Sequence, residues 1–127
     1  MTIWLHAFVF ATAADRAAGD AALERGLAEC PEPTFEFNGT TWTNVPGELT
    51  LRPFEGADES YDYTFGTEVS GYKAERSLSA VVARGATSVE LQYTVIEREV
   101  SSLDRTVVHT IVDQMAQRML DHRAGPT

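Results

Sequence analysis

Cysteine, histidine and basic residues are all scarce in this chain, and each shortage removes a class of function. The single cysteine, Cys30, has no internal disulfide partner. Three readings of it stay open: a small buried hydrophobe at a helix end, a reactive thiol, or the remnant of a lost pair. With three histidines and no ligand-spaced run of His and Cys, a structural zinc site has no basis in the sequence. Ten lysines and arginines stand against nineteen acidic residues, a net charge of −9. That balance opposes binding to nucleic-acid phosphates and to an anionic lipid leaflet. No Gly-rich phosphate loop follows a strand, and there is no Gly-x-Ser-x-Gly elbow. Neither a metal nor a cofactor is called for. The apolar run Ile3 to Ala11 is too short to span a bilayer. With no basic leader ahead of it and one cysteine, the chain reads as cytoplasmic as written, or as extracytoplasmic if it is a trimmed exported domain.

What is present is an ordinary globular composition. At 127 residues, 43% hydrophobic and 23% charged, residues 1–127 are expected to form one domain. Ile3 to Ala11 is apolar on both faces apart from His6, which predicts a strand inside the sheet, covered on two sides. Ala13 to Glu29 reads as a helix with a stripe of Ala13, Ala17, Leu23, Leu27 and Cys30, stopped by Pro31 and Pro33. Thr34 to Phe37 and Thr40 to Thr43 flank Asn38-Gly39, the clearest hairpin signal in the chain. Pro46-Gly47 suits the centre of a type II turn, and Glu55 to Glu59 reads as a solvated loop.

Later strands follow from alternation. Tyr61, Tyr63, Phe65, Thr67 and Val69 predict one apolar face, with Asp62, Thr64, Gly66 and Glu68 on a wet one. After a turn at Gly71, Tyr72, Ala74, Leu78, Ala80 and Val82 mark an inner face, and Val89, Leu91, Tyr93 and Val95 mark the next. The chain reverses at Arg84-Gly85 between these strands. The last helix presents Val108, Ile111, Val112, Met115 and Met119, opposite His109, Asp113, Gln114 and Arg118. Ser101 or Ser102 caps it, with Asp104 in its first turn. The fold class is therefore α+β. A twisted antiparallel sheet of five to six strands carries an N-terminal strand–helix unit and a C-terminal helix packed on one face.

Chemistry-bearing residues are few. His109 and Asp113, one helical turn apart, are read as a solvated pair rather than a shared metal site. His6 shares a strand face with Trp4, Phe8 and Phe10, and Arg76 shares one with Tyr72, Ala74 and Leu78. A buried guanidinium must pair with a carboxylate, open onto a wet cavity or snorkel to an edge. His6 is either a satisfied core histidine or part of a site. If there is a cavity, Trp4, Trp42, Tyr61, Tyr63 and Tyr93 would wall it, with His6 and Arg76 as its polar groups. In an enzyme those two would be the catalytic candidates.

Trp4 to Pro33 (WLHAFVFATAADRAAGDAALERGLAECPEP), Ala74 to Tyr93 (AERSLSAVVARGATSVELQY) and Ser102 to Met119 resemble the opening strand and helix, the late hairpin and the closing helix of actinobacterial sensor domains. These are related to the extracellular domain of the mycobacterial kinase PknH and to the lipoprotein LpqN. The resemblance implies an α+β domain with helices on one face of the sheet and a cleft for an extracellular ligand. It also implies a cysteine where this chain has Ala74, paired with the one at Cys30. The leading expectation is a non-catalytic domain binding a small or lipid-like molecule. The alternatives are a small cyclase or isomerase of secondary metabolism, and a protein-interaction module using Glu68, Lys73, Glu75, Glu90 and Gln92.

Overall fold

A computed structural model describes residues 2–29, 34–69 and 72–124. In chain order the elements are β1 (Thr2–Val9), α1 (Ala13–Glu29), β2 (Thr34–Phe37), β3 (Thr40–Leu51), β4 (Glu59–Val69), β5 (Tyr72–Arg84), β6 (Thr87–Ile96) and α2 (Ser102–Ala124). The expectations for Cys30, Pro31, Pro33 and Gly71 lie outside the described residues. The strands form one antiparallel sheet of six, in the order β1-β6-β5-β4-β3-β2. This is the α+β architecture that the patterning implies. No helix among the described residues is long and apolar enough to cross a membrane.

Both tight hairpins form where the turn residues place them. Asn38 and Gly39 take positive φ values of 51° and 75°, the backbone a two-residue hairpin loop needs. They join Phe37 directly to its partner Thr40. At the second hairpin Gly85 has φ 57° and Arg84 pairs with Thr87. Pro46-Gly47 is different. Instead of a turn, it forms a bulge in the continuous strand β3, where the register shifts between Val45 and Glu48. The reason is packing: a Cβ on Gly47 would overlap the side chain of Leu27 and crowd the carbonyl of Thr64. The bulge lets the end of α1 sit directly on the strand backbone.

The helices lie on opposite faces. Val108, Val112 and Ala116 of α2 pack on Leu78, Ala80, Val82, Val89, Leu91, Tyr93 and Val95, the inner faces the alternation marks. Leu23 and Leu27 of α1 pack instead with Tyr61, Tyr63, Val81, Leu49 and Phe65. Val81 lies between Ala80 and Val82 in β5, so its side chain points to the other side of the sheet. The resemblance implies both helices on one face, whereas here the sheet is sandwiched. The α1 stripe is accordingly thin: Ala13 is exposed and Ala17 half-buried. The face of β4 expected to be wet is also covered, because Asp62 is buried beneath α2.

Strand β1 departs most from expectation. It is an edge strand rather than an interior one, paired only to β6. Trp4 and Leu5 are each 55% exposed and Val9 82%. Apolar residues on both faces fit an interior strand and an uncovered edge equally well; what decides is whether another strand lies outside β1. Among the described residues none does.

Candidate functional site

A cavity of about 850 Å³ lies between α1 and the β3–β4 ribbon. Its apolar lining includes Ala17, Ala21, Leu49, Leu51 and Tyr61, and its charged lining is Asp20, Glu24, Glu55, Asp58 and Glu59 with the single cation Arg52 among the described residues. It is open because β2 pairs only with Thr40 to Thr43 of β3. Farther along, Glu48 to Leu51 have a described neighbour, β4, on one side alone.

Local sequence places each group. Thr12 caps α1 by accepting the backbone N–H of Asp15 through Oγ1 at 3.1 Å. That sets Arg16 one turn in, 4% exposed. Its Nε donates to the carbonyl of Gly85 at 2.9 Å and its Nη1 to Oδ2 of Asp20 at 2.8 Å. Asp58 and Glu59 approach the same guanidinium at 3.8 and 3.2 Å. Asp20 also accepts the Tyr61 hydroxyl at 2.6 Å. Partial burial, followed by the neighbouring Asp20 carboxyl, pushes Glu59 up to about 7, against the pull of Arg16. Burial and the hydrogen bond to Asp20 push the Tyr61 hydroxyl upward as well. Several carboxyls thus share one cation, and one of them holds its proton near neutrality. The cleft is net acidic over an apolar wall, which suits a ligand with an apolar body and a basic group.

The sequence-derived site residues do not line one cavity. Only Tyr61 reaches the cleft. Tyr63 lies beside it, its ring 6.3 Å from that of Tyr61 and its hydroxyl donating to Glu90 at 3.0 Å. Trp4 and His6 stack at the far edge, centroids 6.3 Å apart, three strands from Tyr61 and so about 14 Å away at ordinary strand spacing. Trp42 stacks on Phe35 near the opposite edge, at 6.3 Å. Tyr93 faces α2 and donates to Asp104 at 2.9 Å. Arg76 takes the carboxylate solution: Glu68 at 2.6 Å and Glu99 at 3.4 Å, with the Thr67 and Glu75 carbonyls as further acceptors. Gly66 makes this possible, since a Cβ there would stand 3.0 Å from the Arg76 side chain and closer still to the Glu75 carbonyl.

His109 and Asp113 are not a solvated pair. Nε2 of His109 lies 2.7 Å from Oδ2 of Asp62, and Asp113 accepts from Arg52 at 3.1 Å. Arg52 also approaches Asp62 at 3.5 Å, so a chain of charges ties α2 to β4 and to the end of β3, with Arg52 itself reaching the cleft. No group that could hold a metal occurs among the described residues. The residues that sequence reasoning missed are Arg16, Asp20 and Glu59. The Arg16–Asp20 spacing of one helical turn was a usable signal; the convergence of Glu59 on it from another element was not. Comparison with protein-family models, curated proteins and solved structures finds no match.

Proposed function

We propose that the chain is a non-catalytic, sensor-type domain. In this reading the cleft between α1 and the β3–β4 ribbon binds a small or lipid-like molecule bearing a basic group. The observation that carries it is the pairing of a roughly 850 Å³ cleft with an apolar wall and a rim of carboxyls in which Arg16 is already shared. A cation entering there gains from Asp20, Glu24 and Glu59 together, and its apolar part covers Leu49, Leu51 and Tyr61.

The test is thermal unfolding with phenethylammonium and with the similarly shaped anion phenylpropionate. The cation is expected to raise the midpoint, growing with concentration as RT ln(1 + [L]/Kd), about 2.7 kcal/mol at a hundred times Kd. The anion is expected to do nothing, and Asp20→Asn with Glu59→Gln to abolish the effect. Equal stabilisation by both probes, or by neither, would overturn the reading. Because the bound cation favours ionised Glu59, its affinity should also rise as pH passes through about 7.

A second reading, a small isomerase or cyclase, has its own observation. The raised carboxyl of Glu59 beside Asp20 is suited to give and take a proton near neutral pH. It predicts a turnover that Glu59→Gln abolishes while His6→Ala leaves it intact.

A further inference from the structure

The exposed edge of β1 calls for a partner, and its backbone says what kind. Phe10 donates its N–H to the carbonyl of Ala86 at 2.8 Å, and the β1–β6 register is unbroken. Even-numbered residues of β1 therefore turn their backbone groups toward β6, and Ile3, Leu5, Ala7 and Val9 direct theirs outward. Edge strands of soluble proteins are normally guarded by lysine, proline, a bulge or an inward-pointing charge. The sequence of β1, TIWLHAFV, has none of these.

Side chains add to the backbone argument. Trp4 (55%) and Phe8 (42%) are exposed on one face, and Ile3 (41%), Leu5 (55%) and Val9 (82%) on the other. Next to the second group lies the flank of α2 turned away from β3 and β4, because His109 and Asp113 hold the opposite flank to Asp62 and Arg52. That free flank carries exposed Val107, with exposed Leu103 at its outer margin. With aromatic side chains offering 150–250 Å² each and aliphatic ones somewhat less, the exposed fractions come to about 700 Å² per copy. Two copies reach the size of a stable interface, roughly 1,200–2,000 Å² in total. The strand has no carboxylate, so pairing it keeps the acidic surface of each chain at a distance.

We infer that this chain forms a two-fold dimer in which β1 pairs antiparallel with β1 of a second copy, joining two sheets into one. Facing residues must lie on the same side of the joined sheet, so odd meets odd and even meets even. The register that employs every outward-directed residue sets Ile3 against the partner's Val9 and Leu5 against the partner's Ala7. On the other face it sets Trp4 against the partner's Phe8 and His6 against the partner's His6. The stacked row Trp4, His6, Phe8, with centroids 6.3 and 5.5 Å apart, then meets its own copy across the axis.

The experiment is analytical ultracentrifugation of the full chain, of Leu5→Lys, and of Phe37→Lys as a control at the opposite edge. Leu5 and Phe37 are already exposed, so both variants keep the fold, and circular dichroism checks that they do. The expected mass is twice 13.9 kDa for the unaltered chain and for F37K, falling to the single-chain mass for L5K. Overturning results are a single-chain mass for the unaltered protein, or a dimer that survives L5K.

Discussion

Removing the carboxyl of Asp104 tests how α2 is fastened to the sheet. Asp104 is 8% exposed and stands three residues after Ser101, the residue just before α2. The two cap each other: Ser101 Oγ accepts the Asp104 N–H at 3.1 Å, and Asp104 Oδ2 accepts the Ser101 N–H at 2.8 Å. The same carboxyl accepts the Tyr93 hydroxyl at 2.9 Å and Arg98 at 2.6 and 3.2 Å. Arg98 above all holds this acid well below the usual carboxylate range. In Asp104→Ala, half the cap is lost, worth about 1 kcal/mol. The hydrogen bond from the Tyr93 hydroxyl to this carboxylate is also lost, worth about 1–3 kcal/mol. The expected loss is about 2–4 kcal/mol in a domain whose total is on the order of 5–15 kcal/mol, so the variant still folds. Adding Tyr93→Phe removes the other end of that hydrogen bond, and the double variant should lose about 1–2 kcal/mol less than the two single losses summed. Urea unfolding of the four proteins measures the cycle. A loss under about 0.5 kcal/mol in D104A, or strict additivity in the cycle, would refute the reasoning.

Stability should depend on pH through Glu59, whose carboxyl moves from 4.5 to about 7 on folding. Its protonated form is favoured in the fold, so its contribution is full below 4.5 and is lost as pH rises towards 7. Glu59→Gln should flatten that limb of a melting-temperature profile, while the acid limb, where depressed Asp104 gains its proton below 3.8, stays in place. Two glycine-to-alanine changes should have opposite signs in urea unfolding. Gly66→Ala pushes a methyl against the Glu75 carbonyl and Arg76, costing about 1–3 kcal/mol. Gly26→Ala enters open space on α1 and should stabilise by about 0.5–1 kcal/mol.

Local signals were legible and relations between distant elements were not. Asn38-Gly39, the reversal at Gly85, the row Val89, Leu91, Tyr93, Val95 and the α2 stripe all concern residues close in sequence, where turn chemistry and periodicity decide the outcome. Pro46-Gly47 carried a true turn signal, overridden by Leu27 arriving from another element. The expected site residues are dispersed for the same reason. Aromatic residues were pooled by type, but the sheet order separates Trp4 from Tyr61 by two intervening strands. Nothing near Arg16 in the sequence marks it as buried, because its partners Gly85, Asp58 and Glu59 come from remote parts of the chain. Edge or interior, the question that mattered for β1, is a property of strand order that composition does not encode.

The fastening of α1 has a consequence for the hollow beside it. The helix is pinned near its start by Arg16 and near its end by Leu27 seated on Gly47, and the span between presents Ala17 and Ala21 to the void. In the sequence Ala17 reads only as part of the helix's apolar stripe. In the folded chain both alanines act as the missing rungs of a ladder, and the vacancy they leave sets the width of the cleft.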